Sequence, residues 1–182
     1  MPSPIAHSIS GYVVYKLWPK KGSLAFSRKT SNLWLLYAVF VSNVPDLDLI
    51  FQLFSEDKVH RGFTHSITAT LVIGLCTGLL GFIFWKSCWK QLLLLTLIVY
   101  SLHLGLDAVT FGGAGMKLLW PLSEHYYRFP FSLFPPVHHS RGFIDPSHLV
   151  FLTYEFAYTV LLLLGLRKWK FSRKRVYWKD HS

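Results

Sequence analysis

Four segments of this chain stay apolar for about the width of a bilayer: residues 33–54, 67–85, 91–111 and 148–166. A spanning helix needs roughly 20 mostly apolar residues. The soluble alternative would bury all four helices on every side, and a chain of 182 residues has no room for that. Composition agrees, with 52% hydrophobic and only 15% charged residues, against about 25% charged in an ordinary soluble domain. The expected fold is an all-α, integral-membrane helical bundle of about four transmembrane helices.

A fifth apolar stretch, residues 5–18, is too short to span. No Lys or Arg precedes Lys16 and no small-residue cleavage pattern follows, so it lacks the marks of a signal peptide. It is expected to remain as a partial or re-entrant helix. Cys76 and Cys88 sit in or beside one apolar segment and define no disulfide framework.

The formal charge of +10 raises the question of nucleic acid. If the four spans alternate with residues 19–32 inside, the cytoplasmic side carries Lys16, Lys20, Lys21, Arg28, Lys29, Lys86, Lys90 and the basic residues of 167–179. The outer side keeps Lys58, Arg61, Lys117, Arg128 and Arg141. That is the positive-inside bias of a membrane protein, so no nucleic-acid partner is expected. Residues 1–166 read as one membrane-embedded domain with an outer loop at 112–147. Residues 167–182 read as a basic cytoplasmic tail whose aromatics and cations suit an anionic inner leaflet.

This topology makes the ionisable residues inside the spans informative, because charge in hydrocarbon is costly and usually functional. At about 1.5 Å of rise per residue, Asp46 lies roughly 20 Å from the inner boundary of its span. His103 and Asp107 lie about 18 and 24 Å from theirs, and His7 about 16 Å above Trp18. All fall in the outer half of a core about 30 Å thick, with His60 and His65 above them in the outer loop.

Local spacing adds to this. His103 and Asp107 are i,i+4 and share a helix face, as two ligands of one ion or as a buried hydrogen bond. Gly105 between them is expected to admit another backbone closely. Asp46 and Asp48 both follow Pro45, whose missing N–H tends to kink a helix. The kink turns both carboxylates inward, or Asp46 binds and Asp48 orients a neighbouring ligand, or the pair caps a turn. In "HRGFTHS", His60 and His65 flank a glycine in a loop entering a helix, with Thr64 or Ser66 as N-cap. Arg61 offers a fork suited to phosphate oxygens. Four His and up to three Asp without Cys suit zinc first, with manganese, iron or magnesium as alternatives, as one ion or a pair.

"VPDLD", "HRGFTHS" and "SLHLGLDAVTFGGAGMKLLWPL", with an N-terminal histidine, resemble the YdjM family of bacterial inner-membrane proteins, described as metal-dependent hydrolases. The likeness runs over about residues 7–122, and "HRGFTHS" is its most specific part. It implies a multi-pass helical protein of the cytoplasmic (inner) membrane with a metal-centred, hydrolase-like site. The matching positions are His7, Asp46, Asp48, His60, His65, His103 and Asp107. The chain departs from the family pattern at Leu49 and Ile50, where members often carry a further histidine. Ligand type alone gives a more distant likeness to zinc-dependent phospholipases C and P1-type single-strand nucleases.

The outer segment 112–147 is long for a connection, which points to function. Its aromatics, Trp120, Tyr126, Tyr127, Phe129, Phe131 and Phe134, read as an interfacial stretch among headgroups. His138, His139 and Arg141 are candidate headgroup contacts, Asp145 a cap for the last helix. Glu155 is open between proton acceptor and partner of a buried hydroxyl.

The leading expectation is a metallohydrolase in the membrane, with its site toward the outer side and the tail inside. It acts on a phosphoester of a lipid or lipid-linked anion through a metal-activated water. Asp48 takes the proton, and Arg61 with Arg141 holds the ester. The alternatives are a non-enzymatic metal transporter or sensor, a haem protein, and a structural bundle with hydrogen-bonded His–Asp pairs.

Overall fold

The computed structural model describes residues 3–19, 28–52, 54, 60–110, 115–136 and 145–179. Six α-helices run through them: α1 (Pro4–Leu17), α2 (Arg28–Val41), α3 (Asp48–Gln52), α4 (Ile67–Phe84), α5 (Trp89–Ala108) and α6 (Pro146–Lys179). Two 3-10 turns, Pro45–Leu47 and Phe63–His65, stand before α3 and α4.

Local chemistry sets the helix starts. Ser3 caps α1, its Oγ accepting from the Ile5 N–H at 3.2 Å, and Pro4 occupies a position where no N–H is needed. Ser66 caps α4 by accepting from the Ala69 N–H at 3.0 Å. Asp145 accepts from the Ser147 N–H at 2.8 Å where α6 begins, the capping role expected of it.

α4, α5 and the 27-residue stretch Pro146–Ser172 of α6 are each long and apolar enough to cross a membrane. The first expected span is not one continuous helix. It is a pair, Ser31–Val41 and Pro45–Gln52, bent by 56° at the break, because Pro45 interrupts the backbone ladder and the chain continues as a 3-10 turn. Counting that pair as one span gives four. The last helix also departs from expectation, since it runs past residue 166 to Lys179 without a break.

α4 and α5 form a close hairpin. A Cβ on Gly74 would stand 2.5 Å from Leu97 Cδ2, and one on Gly81 2.6 Å from Leu92 Cδ1. α1 packs against α2, α5 and α6. It approaches α2 so closely that a Cβ on Gly11 would meet the Ala38 carbonyl oxygen at 2.7 Å. Gly105, expected to serve that purpose, faces open space. Tyr15, Ala38, Val41, Leu95, Val99, Tyr100 and Leu104 form the buried core between α1, α2 and α5. α6 is tied to α1 by polar contacts. The N–H and hydroxyl of Ser3 both donate to Glu155, and the Ser10 and Tyr158 hydroxyls share a 2.7 Å hydrogen bond. Meanwhile Leu71, Leu75 and Leu79 of α4 and Leu152, Phe156 and Leu161 of α6 are exposed. Apolar groups outside and polar groups inside are what a lipid solvent selects.

Candidate metal centre

Four separate elements bring the polar residues together. α1 supplies His7, the Pro45–Leu47 turn Asp46, and α5 the pair His103 and Asp107, while His65 ends the turn before α4. All are 8% exposed or less. The His65 Nε2 lies 3.3 Å from Asp107 Oδ2 and 3.5 Å from Asp46 Oδ1. The His103 Nε2 lies 3.6 Å from Asp46 Oδ1, 3.9 Å from Asp107 Oδ2 and 3.4 Å from His65 Nε2. His7 closes the group, its Nε2 3.5 Å from Asp107 Oδ1 and its ring stacked on His103 with centroids 3.8 Å apart.

These residues fit a metal ion. Both carboxylate oxygens of Asp46 and Asp107, and both ring nitrogens of His7, are buried without a hydrogen-bond partner among the described residues. An unpaired buried polar group costs about 1–3 kcal/mol, and more when it is charged. Such a set persists when a cation satisfies it. Asp46, His65, His103 and Asp107 each offer one ligand atom within 4.8 Å of all the others. Around a tetrahedral ion with bonds of about 2.0–2.1 Å, neighbouring ligand atoms stand roughly 3.3 Å apart.

A second layer aims the ligands. The His103 Nδ1–H donates to the Ser42 carbonyl at 2.7 Å, which turns Nε2 to the centre. His65 Nδ1 sits 3.3 Å from Asp48 Oδ2 and 3.0 Å from the Thr64 hydroxyl. Asp48 also accepts from the Thr64 hydroxyl at 2.5 Å and the Arg61 N–H at 3.2 Å, and pairs with His60 Nδ1 at 2.6 Å. Asp48, His60 and His65 form a second group with metal-like spacing. Its carboxylate, Asp48, differs from Asp46 and Asp107 of the first group in being engaged by hydrogen bonds. Of the arrangements left open for the two aspartates, the geometry matches Asp46 at the centre and Asp48 behind His65. Asp48, the expected proton acceptor, has its oxygens committed to that lattice.

Arg61 is 7% exposed, with Nε 3.6 Å from Asp107 Oδ2. Its φ of 63° lies in the left-handed region, which a residue with a Cβ adopts at a cost of about 1–2 kcal/mol. Bonds on both sides hold it there: its N–H donates to Asp48 and its carbonyl accepts from the Lys117 N–H at 3.1 Å.

Beside Arg61 and Asp107 opens a cavity of about 300 Å³, also lined by Thr110, Arg128, Phe129 and Phe131. Its outer wall is shaped by the Met116–Tyr127 bridge and by Gly115. The glycine has φ 100°, and a Cβ there would meet the Tyr127 carbonyl oxygen at 2.4 Å. Lys117 on the same wall hydrogen-bonds Glu124, whose carboxylate holds the ammonium above its usual range.

His138, His139 and Arg141 lie outside the described residues. Glu155 is buried and accepts from Ser3, and it joins neither of the groups with metal-like spacing among the described residues. Two contributors escaped the sequence reading. Thr64, considered only as a cap, bonds Asp48; Arg128, counted only as an outer charge, lines the cavity. The surrounding "YYRFPF", a lone cation among aromatics, was the available signal for Arg128.

The profile of the family described as "YdjM inner membrane protein" matches residues 1–176. The chain belongs to the YdjM family. It is also 32% identical over 150 residues to inner membrane protein YbcI of Escherichia coli (strain K12), covering 75% of this chain and 84% of that protein. No solved structure matches. In this YdjM-family member, the segments first singled out for their likeness, "VPDLD", "HRGFTHS" and "HLGLD", all contribute to the one buried cluster.

Proposed function

We propose that this YdjM-family protein is a membrane-embedded, metal-dependent hydrolase acting on a phosphoester of a lipid or lipid-linked substrate from the outer face. The observation that carries the proposal is a buried set of unpaired carboxylate and imidazole atoms beside a cavity that contains an arginine. A purely structural His–Asp bundle would pair those atoms with each other, as Asp48, His60 and Thr64 are paired.

His7, Asp46, His65, His103 and Asp107 would hold one divalent ion, zinc first by ligand type. When bound, such an ion activates water and neutralises phosphoryl oxygens. Arg61 binds the anionic ester where the cavity meets Asp107. Ser42 and Asp48 fix the directions of His103 and His65. Asp46, 8% exposed and with both oxygens free of hydrogen bonds, is better placed than Asp48 to accept a proton at the centre.

The test is elemental analysis of detergent-purified protein beside His103→Ala and Asp107→Ala, together with phosphate release from phosphoester lipids in mixed micelles. The proposal expects near-stoichiometric metal and turnover in the wild type, both lost in the two variants while helicity is kept. Metal without turnover of any ester would transfer the site to transport or sensing. A metal-free wild type after reconstitution would refute both.

A further inference from the structure

The cavity beside the centre carries a feature that the proposed hydrolysis does not require. Two guanidinium groups line it. Arg61 is buried at the inner end against Asp107, and Arg128 is exposed on the outer wall. Arg128 has no carboxylate partner among the described residues. The nearby Lys117 and Glu124 are engaged with each other and so leave its charge uncompensated. Its stem packs beside Gly115, where an added Cβ would stand 2.8 Å from Arg128 Cγ, so the glycine clears the space this side chain occupies.

The rest of the lining divides by polarity. Thr110 offers a hydroxyl, while Phe129 and Phe131, 50% and 64% exposed, form an apolar lip that continues onto the outside of the molecule. A guanidinium fork matches phosphate oxygens in pairs. Two forks in one cavity match a terminal phosphate with two charges better than a diester with one. The aromatic lip matches an apolar chain leaving toward lipid.

We infer that this cavity is a headgroup pocket for a phosphomonoester carried on a membrane lipid, with Arg128 as the residue that selects the dianionic monoester over a phosphodiester. The inference deepens the hydrolase reading and rests on it for the fate of the bound ester. Binding and selectivity are measurable without any turnover.

The experiment uses the full-length protein as purified in detergent and three phosphonate probes, whose carbon–phosphorus bond hydrolysis cannot cut. They are the dioctanoyl phosphonate analogue of phosphatidate, its monomethyl ester, and water-soluble methylphosphonate. Calorimetric titration is expected to give tighter binding of the dianionic lipid than of its methyl ester. Arg128→Ala should weaken the dianionic lipid about tenfold or more and largely erase that preference, with Arg128→Lys between. Phe131→Ala should weaken both lipid probes and leave methylphosphonate unchanged. Equal binding of the dianionic lipid by wild type and Arg128→Ala would overturn the assignment of Arg128. Methylphosphonate bound as tightly as the lipid, with no effect of Phe131→Ala, would overturn the lipid source and assign the pocket to free phosphate. Failure of the hydrolase reading would appear separately, as phosphatidate bound with Arg128 dependence but never cleaved by the metal-loaded protein.

Discussion

Asp46 and Asp48 stand two positions apart, yet their oxygens meet opposite environments. Those of Asp46 have no hydrogen-bond partner among the described residues, whereas Asp48 is engaged by His60, Thr64 and the Arg61 N–H. The first arrangement suits an ion, the second an orienting group. Outer-layer partners of metal-bound histidines are typically worth about 10–100-fold in metal affinity. Asp48→Asn is therefore expected to weaken metal binding by about that factor, and Asp46→Asn by more. Dialysis against graded chelator followed by elemental analysis would measure both. Equal loss in the two variants would show Asp48 to be a ligand in its own right. The sequence made His103 and Asp107 legible because their relation is local: four residues on a helix is one turn. It made the aspartate roles ambiguous because spacing of two is informative only on a regular helix, and Pro45 removes that regularity. Arg128 was legible only as a lone cation among aromatics and not as a neighbour of Arg61, which lies 67 positions away with no local pattern connecting them.

At the scale of elements, the break after Val41 matters more than any helix length. A straight helix through residues 33–54 would point Asp46 and Asp48 to opposite sides; the 56° bend and the 3-10 turn bring both to the side where His65 arrives. The short α1 then seats His7 against them, and its depth depends on close approach to α2. Gly11 makes that approach possible, its missing Cβ replaced by the Ala38 oxygen at 2.7 Å and Ser42 Oγ at 2.9 Å. Ser42 is also the residue whose carbonyl aims His103. Gly11→Val is thus expected to destabilise the bundle by about 1–3 kcal/mol through overpacking and to lower metal content as well. Gly105→Ala, in open space, should change neither. Thermal unfolding in detergent with metal analysis of the same samples would decide it. An equal effect of the two substitutions would mean that α1 does not set the centre. Periodicity could not have separated these glycines, because each sits inside an apolar helix and only the packed neighbour distinguishes them.

For the whole molecule, the all-helical membrane architecture followed from composition and apolar length, since in lipid few other folds satisfy the backbone. The continuation of α6 to Lys179 did not, because Lys and Arg end an apolar run without ending a helix. The direction in which the cavity opens follows from the placement of charge. Lys86, in the α4–α5 connection, and Lys90, in the first turn of α5, lie at the opposite end of that hairpin from the His65 turn and Asp107. By the positive-inside bias that end is cytoplasmic, so the cavity and the 115–136 wall should face outward. With Cys76 and Cys88 replaced by Ala, Leu122→Cys (Leu122 is 90% exposed) is expected to react with a membrane-impermeant maleimide added to intact cells. Ser87→Cys, exposed in the α4–α5 connection, should react only in inverted vesicles. The opposite pattern would turn the cavity toward the cytoplasm, and any lipid it binds would then have to come from the inner leaflet. The direction of labelling therefore decides which leaflet supplies the substrate before any substrate is known.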